Sequence, residues 1–164
     1  MNKILNFAYG PFAGNRASIG LLALRIVMGA AFIVHGFPKI QAPFSWMGPD
    51  ASIPGFLQAL AALAEFGGGM ALIVGLFTPL ASLGLIVTML VALGTVLIPN
   101  GVPFVAKNGG PSSELAFVFL AASVLFLTVG PGRISLDALF FGGEISEEAK
   151  VTHTAIPIAS PVQN

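Results

Sequence analysis

The sequence predicts an all-α membrane protein: a bundle of four transmembrane helices with both termini on the same side of the bilayer. Three observations carry this. Hydrophobic residues fill 55% of the 164 positions and charged residues only 9%, far below the roughly 25% charged residues of soluble domains. The apolar residues gather into four stretches, 19–37, 56–77, 80–98 and 113–129, close to the ~20 residues that cross ~30 Å of hydrocarbon. Gly- and Pro-rich breaks separate them. Buried helices of a soluble protein would need a polar face that these stretches lack. The runs also lack the alternation of a membrane barrel.

The first stretch follows Lys3 and Arg16, a layout like the n-region of a signal peptide. It continues to Phe37, longer than an ordinary h-region, and no small-residue cleavage site follows, so it reads as a retained span. Pro38 is expected to end it. Thr78-Pro79 forms a short turn that makes spans two and three an antiparallel hairpin. Pro99-Asn100-Gly101 stops the third span and Gly130-Pro131-Gly132 the fourth, which is short and borrows a turn from Ser112, Ser113 and Glu114. Residues 133–141 suit a short interfacial helix with Ile134, Leu136, Leu139 and Phe140 toward lipid. The membrane domain is thus 1–143, followed by a polar flexible tail at 144–164 that holds His153.

Four spans put both termini on the side that carries Lys3, Arg16, Arg133 and Lys150, opposite Lys39 and Lys107. The positive-inside rule makes the first side cytoplasmic. The expected location is a cell membrane, multi-pass, of the prokaryotic inner-membrane type. Formal charge is zero and the basic residues are scattered singly, which excludes nucleic acid as a partner. The chain has no Cys, so it carries no disulfide, thiolate metal site, iron–sulfur cluster or CxxC redox motif. No metal site is predicted, and any redox role borrows its centre.

Ionisable groups within spans are expensive to bury and so mark candidate sites. Arg25 and His35 lie in span one and Glu65 in span two; Lys39, Glu114, Arg133 and Asp137 are interfacial candidates. If spans one and two are antiparallel, Arg25 and Glu65 differ in depth by about 6 Å and are expected to pair. Such a pair is either glue between helices or a charged pocket for an anionic or quinone-like headgroup, or a proton relay. His35 suits an interfacial proton carrier or a donor to a quinone, or else a bond to a loop carbonyl. Haem ligation by two histidines is not expected, because the only other one, His153, lies in the tail on the opposite side. Gly67-Gly68-Gly69 lacks the strand and the Lys-Ser/Thr of a phosphate loop. With Ala61, Ala64, Ala71 and Gly75 it offers small residues for close helix approach, as Gly84 and Gly94 do on span three.

Leu24-Arg25 through Met28-Gly29, His35-Gly36-Phe37-Pro38-Lys39, Ala64-Glu65-Phe66-Gly67-Gly68-Gly69, Gly75-Leu76-Phe77-Thr78-Pro79 and Gly130 through Asp137 follow one another in order. This pattern, over about residues 20–140, resembles the DoxX family of small membrane proteins. The resemblance implies a link to quinone-coupled oxidoreduction. Relatives include subunits associated with thiosulfate:quinone oxidoreductase or a terminal quinol oxidase, and members of membrane complexes that handle thiol and oxidative stress. Arg25, His35, Glu65 and Arg133 are its matched polar positions. The expected function is an accessory subunit of a membrane oxidoreductase or quinone-linked complex, with lipid, other subunits or further copies of the chain as partners. No cofactor motif is visible in the residues, and quinone is the cofactor that the resemblance implies. Two alternatives stand: a small oligomeric carrier that uses Arg25, His35 and Glu65, and a quinone-reducing subunit in its own right.

Overall fold

A computed structural model describes residues 13–106 and 109–142. The expected tail with His153, and Lys3, Lys107 and Lys150 of the charge count, lie outside the described residues. Helix α1 spans Asn15–Gln41, α2 Gly55–Val74 and α3 Thr78–Val91, which continues as a π-helical stretch Ala92–Leu97. Helix α4 spans Glu114–Val129, and a short helix, α5, covers 136–142. There is no strand among the described residues.

Three of these helices are long and apolar enough to cross a bilayer, with α3 and its π-helical stretch counted together, and α4 is a shorter apolar helix of 16 residues. Side-chain placement follows a lipid solvent. Val27, Val34, Leu80 and Val118 point outward and are well exposed, while the shared core is Leu21, Met28, Phe32, Leu72, Leu85, Met89 and Phe126. Hydroxyls within the helices bond back to the preceding turn, as Thr88 to the Gly84 carbonyl and Ser123 to the Phe119 carbonyl. These hydroxyls are thereby satisfied without water.

The first helix differs from expectation at both ends. It starts four residues earlier, at Asn15, and runs through Pro38 to Gln41. Pro38 sits in the last turn and costs the helix one hydrogen bond without ending it. Gly75 closes α2 in the left-handed conformation (φ 68°), with its N–H bonding the Ala71 carbonyl at 2.8 Å and the Leu76 N–H bonding the same carbonyl at 3.0 Å. Such a cap requires glycine. Phe77 also has positive φ (49°), an uncommon state for a bulky residue, before Thr78 and Pro79 open α3. Spans two and three therefore form the expected hairpin. At the far end of the bundle the loop before α4 is tied by the Ser113 and Glu114 N–H groups, which bond the Pro103 and Phe104 carbonyls at 2.9 Å each.

Helices α1 and α2 touch backbone to backbone. A Cβ on Gly29 would stand 2.6 Å from the Gly69 carbonyl oxygen, and one on Gly36 would stand 2.5 Å from the Phe66 nitrogen. Only glycine permits these approaches. Gly68 faces Leu85 and Ala81 at ordinary contact distance, Gly67 meets only Leu63 of its own helix, and Gly94 has open space around it. The small-residue reading therefore holds for Gly69, with Gly29 and Gly36 of α1 as its counterparts, and fails for Gly94.

These contacts set the register. Gly29 lies against Ile73 and Gly36 against Phe66, so each step up α1 matches one step back along α2. On that register α2 begins six residues beyond the end of α1, an overhang of about 9 Å. The loop 42–54 returns along it, with the Phe44 carbonyl packed on Gly55.

Candidate functional site

Two separate polar centres occupy opposite ends of the α1–α2 pair. The register places Arg25 level with Phe77 and Glu65 level with Phe37, twelve residues apart, or about 18 Å at ~1.5 Å per residue. Arg25 and Glu65 therefore do not pair. The expectation that they would came from aligning span ends, and the extension of α1 to Gln41 together with the overhang of α2 shifts that alignment by about two helical turns.

At the Asn15 end, Arg25 is fully buried (0% exposed) and its guanidinium donates Nη2–H to the Ile134 carbonyl. It lies against Gly75, where any Cβ would collide with Nη1. Asp137 was expected at the interface but is also 0% exposed. Its carboxylate accepts the Phe77 N–H at 2.7 Å and the Thr78 N–H at 2.9 Å, while its own N–H bonds the Gly75 carbonyl at 2.8 Å. The carboxylate thus caps α3 and holds Phe77 in its unusual conformation. It becomes buried because the chain after α4 folds back under the bundle. The Ser18 hydroxyl donates to the Ala13 carbonyl and accepts the Arg133 N–H, both at 2.9 Å. Ser135 Oγ accepts the Ala138 N–H at 3.1 Å and opens α5. Arg25 Nε and Nη1, Thr78 Oγ1 and Ser82 Oγ are buried and have no hydrogen-bond partner.

At the opposite end, Glu65 is 3% exposed and both of its oxygens lie 2.6 Å from Lys39 Nζ. This is the only ion pair among the described residues. The ammonium lies 4.5 Å from the centre of the Trp46 ring, within cation–π range. Trp46 is fixed in turn, since its indole N–H bonds the Gln58 carbonyl at 2.9 Å. The Gln58 side chain accepts the Met47 N–H and donates to the Ile53 carbonyl. The loop 42–54 is therefore strapped onto α2 and covers the ion pair.

His35 lies one helical turn before Lys39. Its imidazole is exposed, stands edge-on to Phe119 of α4 with ring centres 6.4 Å apart, and makes no hydrogen bond among the described residues. It is therefore not bonded to a carbonyl of the described loop residues. Phe32 meets the same Phe119 ring at 4.6 Å. Glu114 is exposed in the first turn of α4, and Arg133 is exposed with Nη1 3.4 Å from Asn15 Oδ1.

The family model described as DoxX matches residues 20–98, a range that includes both the Arg25–Gly75 contact and the Lys39–Glu65 pair. An uncharacterized protein of Haemophilus influenzae is 33% identical over 124 residues, which cover 74% of this chain and 90% of that protein. The chain belongs to the DoxX family. An inner membrane protein of Escherichia coli, YqjF, is 32% identical over 130 residues, 74% of this chain and 92% of its own length. A Bacillus subtilis protein named putative oxidoreductase CatD is 28% identical over 129 residues, 77% of this chain and 90% of its own length. No solved structure matches. Together with the apolar helices, these likenesses identify a multi-pass membrane protein that lives in lipid.

The five segments by which the sequence resembles the DoxX family acquire distinct jobs in the fold. Arg25, the Gly75-to-Pro79 turn and the Gly130-to-Asp137 segment converge on the Asn15 end. His35 through Lys39 and Ala64 through Gly69 meet at the other. Sequence reasoning missed Trp46 and Gln58. Both carry a recognisable signal, since Trp46 is the chain's single Trp and Gln58 is an amide inside an otherwise apolar helix. It also missed the pairing of Lys39 with Glu65, although both residues were candidates.

Proposed function

We propose that this DoxX protein is an accessory subunit of a membrane oxidoreductase complex, and that its Lys39 end holds the headgroup of a quinone. The observation that carries the reading is the exposed imidazole of His35, with no hydrogen bond among the described residues, one turn from the Lys39–Glu65 pair. A quinone supplies carbonyl acceptors and two-electron chemistry when bound. His35 offers a donor to such a carbonyl at the depth where a headgroup resides, and the Phe32 and Phe119 rings offer an apolar wall beside it. Glu65, held by Lys39 under the Trp46 loop, is a carboxylate near that position that can take and release a proton.

The absence of Cys in the chain supports an accessory role, since the electrons need a centre that another subunit brings. The name of the Bacillus subtilis relative points the same way. Arg16 and Arg133 at the Asn15 end orient that end toward the cytoplasm on the positive-inside rule. The carrier reading asks Arg25, His35 and Glu65 to line one route. Arg25 is closed in by Ile134 and Gly75 about 18 Å from Glu65, so no observation favours it.

The test is mass spectrometry of the polypeptides and quinones that co-purify with the tagged protein from its native membranes in mild detergent. Recovery of redox subunits together with quinone, and loss of the quinone in His35→Ala, is the expected result. Recovery of the protein alone, without quinone, would overturn the proposal.

A further inference from the structure

We propose that the Asn15 end of the bundle binds an anionic phospholipid, with its phosphate between Arg16 and Arg133 and its acyl chains on the flanking apolar surface. The two guanidinium groups come from opposite ends of the described chain. Arg133 is brought to the first turn of α1, which also carries Arg16, because its N–H is bonded to Ser18 Oγ at 2.9 Å and its Nη1 reaches Asn15 Oδ1 at 3.4 Å. Arg16 follows Asn15 directly. Both arginine side chains are exposed, and neither has a carboxylate partner among the described residues.

Among the described residues, charge at this end is one-sided. The other ionised groups described here are Arg25 and Asp137, both buried, and both Asp137 oxygens already accept backbone N–H groups. The surface therefore presents two cations with no exposed anion among the described residues. At ~1.5 Å per residue, the 27 residues of α1 measure about 40 Å. That exceeds the ~30 Å hydrocarbon layer, so the first turn, with Arg16, lies at headgroup depth. Guanidinium groups match phosphate oxygens in geometry as well as in charge.

The apolar flank commits the occupant to a lipid and not to free phosphate. Ile19 on α1, Ile134, and Leu139 and Phe140 on α5 are all well exposed at this end of the bundle, Leu139 the most at 73%. A short helix with such a face lies along the membrane surface. An anionic headgroup fits this surface, and a choline headgroup brings a cation against it.

Native mass spectrometry of the full chain in mild detergent tests this, with phosphatidylglycerol, phosphatidylcholine and inorganic phosphate titrated separately. The expected result is retention of phosphatidylglycerol alone, about 30-fold weaker in the Arg16→Gln/Arg133→Gln double variant. An Arg16→Lys/Arg133→Lys variant should recover most of the binding, and the melting temperature should be unchanged, because neither side chain packs in the core. Equal retention of both lipids, equal retention by the Gln variant, or phosphate binding as tight as the lipid would each overturn the proposal.

Discussion

The two polar centres of this membrane domain are held by different kinds of bond. Around Arg25 and Asp137, charged side chains are bonded to main-chain groups: Arg25 to the Ile134 carbonyl, Asp137 to the Phe77 and Thr78 N–H groups. Around Lys39 and Glu65 the bonding is side chain to side chain, and the Lys39 side chain keeps 23% of its surface exposed. The first arrangement locks the path of the backbone and leaves no charged atom within reach of a ligand. The second holds a titratable group under a loop, next to an exposed histidine. An ionisable residue inside a span is a functional candidate by default, but its partner decides which kind it is.

Variants can sharpen or break this contrast. The largest effect is expected from Asp137→Ala, which strips two backbone N–H groups of a charged acceptor and frees the strained Phe77. A loss of about 3 kcal/mol or more should appear as low abundance in membranes and a lower melting temperature in detergent. Arg25→Ala should behave alike, because its buried guanidinium bonds the Ile134 carbonyl of the same closing segment. Wild-type abundance of both variants would show that this end is not the structural lock.

Next in size is the α1–α2 contact. Gly29→Val and Gly69→Val place side-chain atoms where the facing backbone already stands, at a cost of about 1–3 kcal/mol, and thermal unfolding in detergent should reveal it. Gly94→Ala serves as the control, because nothing surrounds that position. An equal loss at Gly94 would remove the claim that specific glycines fix the register.

Glu65→Gln should cost less than Asp137→Ala. The lysine it abandons is partly exposed and can extend its ammonium to the headgroup layer. The smallest expected loss is that of Trp46→Leu, about 0.5–1 kcal/mol for the cation–π contact, read as a small fall in melting temperature. A collapse of the fold in either variant would make the Lys39 end as structural as the other.

Much of the fold was legible in the sequence because lipid solvation imposes simple rules. Span existence followed from hydropathy, and the stop at Gly130 followed from a residue that adopts positive φ, whereas the second span was expected to run to Phe77 and Gly75, read as a packing residue, ends it. Register was not legible, and the pairing of charges depends on it. A proline in the last turn of α1 looks the same in sequence as a proline that ends a helix, and that ambiguity helped to move Arg25 away from Glu65. The burial of Asp137 was hidden for a related reason. Residues 133–141 read as an amphipathic interfacial helix, yet the segment closes the bundle because Ser18 and Gly75, far away in sequence, receive it. What the sequence concealed was which of the candidate residues meet.

The division of labour between the two ends is tested most directly by one paired measurement. Membrane abundance, melting temperature and co-purified quinone would be determined for Arg25→Ala and Glu65→Gln from native membranes. The expected outcome is that Arg25→Ala loses abundance and stability, whereas Glu65→Gln stays folded and abundant but loses quinone. A stable Arg25→Ala protein beside an unfolded Glu65→Gln protein, or quinone retained in full by Glu65→Gln, would contradict it.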